Sequence, residues 1–165
     1  MFPARVAAAE LGEPAYTQLL AHPDLSGLLS VPERAHIQHC HPTRIRDFVA
    51  GRLCARGALR ELGFAQTSIP VDGDRQPRWP AAFLGTITHT DGYCAAVVGH
   101  AGELRGLGLD SEPIGAVRPH LWPRICSPPE LDRLRSLAPR SQPLLAALIF
   151  VAKEAFFKCQ FATAR

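Results

Sequence analysis

Four groups of residues have the types and spacing to do chemistry. Asp110 and Glu112 stand two apart in Leu104-Arg-Gly-Leu-Gly-Leu-Asp-Ser-Glu112. On an extended strand both carboxylates leave the same face. Two acids side by side repel unless a cation lies between them, and a hard ion such as Mg²⁺ is the natural partner for oxygen ligands. Glu154 and Lys158 stand four apart in an apolar run, Leu148 to Cys159, so they share one helix face about one turn apart. Thr88 and His89 close a β-branched stretch beside the Asp91-Gly92 turn, where a side chain reaches a ligand. Arginines recur at 44, 46, 52, 56 and 60, and again at 75 and 78. Arg44 and Arg52 lie about a quarter turn apart around a helix, so several guanidiniums can grip one anion with their planar forks.

Each group also has an ordinary structural explanation. Glu154 and Lys158 can be a surface pair, worth about 0.3 kcal/mol. Asp110 and Glu112 can sit at a strand-to-loop boundary. The arginines can form a solvated face, and a lone histidine is usually structural. What raises the four groups above these explanations is their occurrence together.

The elements that must position them are readable from pattern. From Thr43, Ile45, Phe48, Val49, Leu53, Leu59 and Leu62 recur at helical spacing, with Gly63 as the stop. Pro77-Arg78-Trp79-Pro80 reads as a stiff loop after the Asp72-Gly73-Asp74 turn. Gly85–Thr90 and Tyr93–Val98 read as a hairpin, with Thr86, Thr88 and Thr90 on one side and Ile87 and His89 on the other. Leu104–Glu112 is expected to be a further strand, broken by Pro113. Ser127-Pro-Pro-Glu130 is a capping box opening a short helix. Ser141-Gln142-Pro143 is expected to open the last helix in the same way, and Lys153, Glu154 and Lys158 sit on that helix. Residues 1 to about 42 are cut by Pro3, Pro14, Pro23 and Pro32 and resist assignment. His36, His39, Cys40 and His41 lack zinc-motif spacing and read as helix or loop residues.

Bulk properties bound the function. A chain of 165 residues with 47% apolar and 20% charged content holds one domain or two small halves sharing a core. A net charge of +3 does not call for nucleic acid, although clustered arginines still make a local anion site. Five scattered cysteines without a CxxC argue against a disulfide framework and for a reducing compartment. The N-terminus lacks a basic head and long apolar core, and no run reaches the length of a membrane span. The expectation is a cytoplasmic monomer.

Taken in order, the motifs resemble a known family. They are Arg-x-x-x-Phe-x-x-x-Arg (Arg44, Phe48, Arg52), Pro-x-Trp-Pro (Pro77 to Pro80), Gly-Thr-Ile-Thr-His-Thr (Gly85 to Thr90), Gly-Leu-Asp-Ser-Glu (Gly108 to Glu112) and Lys-Glu-Ala-x-x-Lys (Lys153 to Lys158). This is similar to the 4′-phosphopantetheinyl transferases of the surfactin and enterobactin type. The resemblance runs from about Arg44 to Gln160. It implies an α+β fold of two similar α/β halves related by a pseudo-twofold. The halves would be residues 1–103 and 104–165, the second incomplete because the chain stops at Arg165, soon after the Lys-Glu-Ala helix. It also implies transfer of phosphopantetheine from coenzyme A to a serine of an apo acyl or peptidyl carrier protein, for nonribosomal peptide, siderophore or polyketide synthesis. Asp110, Glu112 and Glu154 would hold Mg²⁺. Arg44, Arg52, Arg75, Thr88, His89, Lys153 and Lys158 would bind the phosphates of coenzyme A, and Glu154 would be general base, with Asp110 and Lys158 beside it. The alternative is a shortened, inactive relative that binds coenzyme A or carrier protein without transfer.

Overall fold

A computed structural model describes residues 5–65, 68–73 and 75–163, with side chains through Gln160. Met1 to Ala4, Asp74 of the expected turn and the terminal Arg165 lie outside the described residues.

The architecture is mixed α and β. In chain order it has β1 (Val6–Leu11), α1 (Glu13–Leu20), α2 (Val31–Ile37), α3 (Pro42–Glu61), β2 (Phe83–Thr90), β3 (Tyr93–His100), α4 (Trp122–Ile125), α5 (Pro128–Ser136) and α6 (Gln142–Thr163), with 3₁₀ turns between some of them. The three strands form an antiparallel sheet in the order β1-β3-β2. The hairpin is the one expected from Asp91-Gly92: Thr90 pairs with Tyr93 and the ladder continues to Phe83 opposite His100. β1 was not legible. Its Val-Ala-Ala-Ala-Glu-Leu sequence is low in β propensity, and it becomes a strand by pairing with β3 from Val6–Gly99 to Leu11–Cys94.

α3 lies across the sheet. Its buried face is built of small residues, Ala50, Cys54, Ala55 and Ala58, with Leu59 closing one end. They pack with Tyr16, Ile69, Phe83, Cys94, Ala96 and Val98 into one core. The helix ends as the sequence indicates. Gly63 is left-handed at φ 80°, its N–H donates to Arg60 O, and Phe64 N–H donates to Leu59 O, the double bond of a Schellman cap. A second cluster joins Leu29, Ile37, Phe48 and Val49. A third, Val117, Trp122, Leu134 and Ala146, serves α4, α5 and α6 alone.

Two expectations need correction. Leu104–Glu112 is not a strand: the chain from 106 to 113 has no regular secondary structure and belongs to no ladder among the described residues. Gly106 and Gly108 weaken strand propensity there, and other contacts hold the segment. Leu109 N–H donates to Thr86 Oγ1 at 3.3 Å. Gly108 lies so close to α6 that a Cβ on it would overlap the Ala155 carbonyl oxygen. The last helix is not opened by a Ser141 cap. A 3₁₀ turn at Pro139–Ser141 leads into Gln142, whose side-chain amide donates to Leu137 O at 3.1 Å. The Ser127–Glu130 capping box is present as read.

Candidate active site

α3, the loop before β2 and the end of β2 together line an arginine-rich cleft of about 140 Å³. Arg44, Arg52, Arg75 and His89 all face it, with Asp47, Phe48, Gly51, Val71, Pro77 and Ile87. Arg52 is 5% exposed. Its Nε donates to Ile69 O at 2.6 Å, and its guanidinium lies 4.1 Å from the centre of the Phe48 ring. Burial pushes its pKa down to about 10, partly offset by Glu33, so it is a fixed cation at neutral pH. Arg44 and Arg75 are exposed. Arg75 has a left-handed φ of 63°, uncommon for a side chain with a Cβ and a form of local strain that collects at functional sites. A tight turn holds it there: Arg75 N–H donates to Asp72 O and Asp72 N–H to Gln76 O.

A second cleft of about 440 Å³ shares Arg75, Pro77 and Ile87 with the first and reaches Thr86, Phe157 and Lys158. The arginine cleft and the cleft that Lys158 lines therefore adjoin along Arg75, Pro77 and Ile87. Lys158 Nζ stands 2.6 Å from Asp110 Oδ1 and 3.0 Å from Leu109 O. Thr88 is 2% exposed. Its hydroxyl lies 3.3 Å from Asp110 Oδ1 and 3.0 Å from Ser111 Oγ. In this structure Thr88 fixes the Asp110 segment to β2 rather than facing open cleft. Burial raises the Glu112 pKa, the nearby Asp110 and Glu154 charges add to the rise, and Lys158 opposes it. Asp110 holds the Lys158 ammonium, and the Glu112 and Glu154 carboxylates add negative charge nearby. The donor set is all oxygen and carries surplus negative charge, which fits a hard divalent cation. Among the described residues no three acids, histidines or cysteines are already gathered in metal-ligating positions, and Asp110 spends one oxygen on Lys158.

Not every expected residue is brought to the groove. Lys153 points to the other side of α6, where its ammonium lies 2.6 Å from Glu130 Oε2 and 2.7 Å from Ile125 O. That hydrogen bond holds the Glu130 pKa down at about 2. Lys153 therefore fastens α6 to α5. Arg56 is likewise committed, to Glu33 Oε2 at 3.2 Å and Leu28 O at 2.8 Å. His36 stacks near Phe48, with ring centres 5.4 Å apart, and His41 caps α3 by accepting from Thr43 N–H.

Three residues that matter here were not picked out from the sequence. Glu33 is fully buried and accepts from Ser30 N–H, Ile69 N–H and Arg56, so it ties α2 to α3 and to the segment at Ile69 behind Arg52. Its Ser30-x-x-Glu33 spacing is a capping box, the same signature as Ser127-x-x-Glu130. Asp47 lines the arginine cleft and accepts the Tyr16 hydroxyl at 2.8 Å. Asp47 falls inside the Arg44–Arg52 motif, one turn after Arg44, and that placement was the available clue.

Comparison with known proteins supports the reading. A family model described as the 4′-phosphopantetheinyl transferase N-terminal domain matches residues 32–99, and one described as the 4′-phosphopantetheinyl transferase superfamily matches residues 106–165. The chain is 37% identical to the 4′-phosphopantetheinyl transferase Npt of Nocardia iowensis, over 96% of this chain and 66% of that protein. It is 36% identical to the 4′-phosphopantetheinyl transferase PptT of Mycobacterium tuberculosis, over 89% and 64%. It is 37% identical to enterobactin synthase component D of Escherichia coli, over 79% and 62%. The aligned part thus spans somewhat under two thirds of each of these relatives. With both family models matching in register with the motifs of the groove, the chain belongs to the 4′-phosphopantetheinyl transferase superfamily.

Proposed function

We propose that the protein transfers the 4′-phosphopantetheine group of coenzyme A to a serine of an apo acyl or peptidyl carrier protein, priming nonribosomal peptide, siderophore or polyketide synthesis. The observation that carries this reading is the pair of adjoining clefts that present Arg44, Arg52, Arg75 and His89 on one side and Lys158 on the other, with Arg75 in both. A linear polyanion with phosphates at several points needs such a row of cations.

In the reaction the serine Oγ attacks the β-phosphorus of coenzyme A. The new Oγ–P bond forms as the pyrophosphate P–O bond breaks, and adenosine 3′,5′-bisphosphate leaves with that electron pair. Glu154 accepts the serine proton, directly or through one water. Lys158, released from Asp110, meets the charge that builds on the bridging oxygen, and the arginines hold the nucleotide end still. Asp110, Glu112 and Glu154 would hold Mg²⁺, which when bound supplies further positive charge to the phosphoryl oxygens. Thr88 keeps Asp110 in place for that role.

The finer architecture belongs to the same reading. Residues 1–103 and 104–165 are the two halves of a pseudo-twofold fold. In support, the third core cluster draws only on residues of the second segment. The protein acts as a cytoplasmic monomer in this reading, and the five free cysteines suit the reducing compartment. No helix among the described residues is long and apolar enough to cross a membrane.

Glu154→Gln tests the chemistry. Transfer to an apo carrier protein is expected to fall at least ~100-fold while coenzyme A still binds. Transfer at the parent rate would remove Glu154 from the role of base.

A further inference from the structure

Asp47 is an acid where a phosphate groove should not have one. It borders the arginine cleft and also a separate cleft of about 680 Å³ between α1, the start of α3 and the β2–β3 turn. His89 is the other residue that borders both. A carboxylate facing the groove would repel phosphate, so its geometry needs a reason. Oδ1 is already fixed, accepting the Tyr16 hydroxyl at 2.8 Å. Tyr16 is itself 5% exposed and its pKa is raised by burial and then by that bond, so it remains a donor at any ordinary pH. Oδ2 is turned to His89, 3.8 Å from its Nδ1. The Asp47 side chain is 18% exposed and that of His89 41%. The tyrosine and the acid are thus the anchored members of a chain, and the imidazole is its open end.

From this arrangement we infer that Asp47 is a positioning residue for His89. It takes the Nδ1–H side of the ring, so that the Nε2–H side is presented to a phosphate of the substrate in the arginine cleft. A histidine can hold an anion only as a donor, and donation from both nitrogens at once, Nδ1 to Asp47 and Nε2 to the phosphate, uses the doubly protonated ring that two flanking anions favour. A separation of 3.8 Å is beyond hydrogen-bond length, and a small turn of the exposed ring closes it to a hydrogen bond when substrate arrives. Tyr16 prevents Asp47 from turning instead toward Arg44 or Arg46, which flank it on α3. The inference rests on the reading of the groove as a coenzyme A site, and the two are tested separately.

Asp47→Asn keeps the shape and the acceptor for Tyr16 while removing the charge. Coenzyme A affinity, measured by calorimetry, is expected to fall about tenfold, the low end of what loss of the orienting partner costs a metal-bound histidine. Asp47→Glu should recover part of it. In a double-mutant cycle, Asp47→Asn should add little in a His89→Ala background. Full additivity, or no loss from Asp47→Asn, overturns the inference. Nitrogen NMR of the His89 imidazole in the substrate-free chain gives an independent reading. A shift of the Nδ1 signal in Asp47→Asn supports the pairing even if coenzyme A does not bind, in which case the assignment of the groove falls. An unmoved Nδ1 signal overturns the pairing even if coenzyme A binds.

Discussion

Replacing Lys158 with methionine removes the ammonium from the acids and keeps most of the apolar stem. The ammonium lies 2.6 Å from Asp110 Oδ1, with the lysine side chain 32% and the aspartate 11% exposed. Exposed pairs contribute about 0–1 kcal/mol, and breaking a fully buried one costs about 3–5 kcal/mol. This pair lies between, so after screening on the lysine side the loss is about 2 kcal/mol, or about 4–8 °C in Tm for a chain of this size. Much of that cost is the orphaned Asp110 carboxylate, so Asp110→Asn in the Lys158→Met background should recover a large part. Thermal unfolding at low salt reads both. Mg²⁺ should then raise the Tm of Lys158→Met more than that of the parent, because the cation meets three acids without a resident competitor. An unchanged Tm in Lys158→Met, or no recovery from Asp110→Asn, would refute the reasoning.

The other expectations concern the same groove. Gly108→Ala should cost about 3 kcal/mol by overpacking, because the added methyl meets the Ala155 carbonyl oxygen, whereas Gly102→Ala, with open space around it, should cost little in the same urea titration. Glu112→Gln should raise Tm at neutral pH. The folded-state pKa of Glu112 is above its ordinary value, so its ionised form opposes folding, and the parent should catch up with the variant as pH falls through that raised value toward 4.5. Arg44→Ala should lower coenzyme A affinity about tenfold with little change in Tm, whereas Arg52→Ala should lower both, because Arg52 also holds Ile69 O and faces Glu33.

The parts of the fold that were legible are those with local causes. The Schellman glycine at 63, the Asp91-Gly92 hairpin and the Ser127–Glu130 box each write their geometry into a few neighbouring residues. β1 was hidden because its alanines become a strand only by pairing with β3, a partner more than eighty residues away. The Leu104–Glu112 segment misled for the converse reason. It has the pattern of a strand, but what holds it in place is Thr86, Thr88, Lys158 and the back of α6. At the site, the arginines, His89 and Lys158 were readable because charge at helical or strand-end spacing is conspicuous. Lys153 carries the same charge, and only the packing of α5 on α6 shows that Glu130 takes it. Glu33 and Asp47 were passed over because their significance depends on burial and on partners distant in sequence.

The central claim is transfer, and the mass of an acceptor tests it most directly. An apo carrier protein is incubated with the chain, coenzyme A and Mg²⁺, and then weighed. The account predicts a gain equal to one phosphopantetheine group on the carrier's serine, lost in Glu154→Gln. A carrier of unchanged mass, with coenzyme A bound but not cleaved, would contradict it.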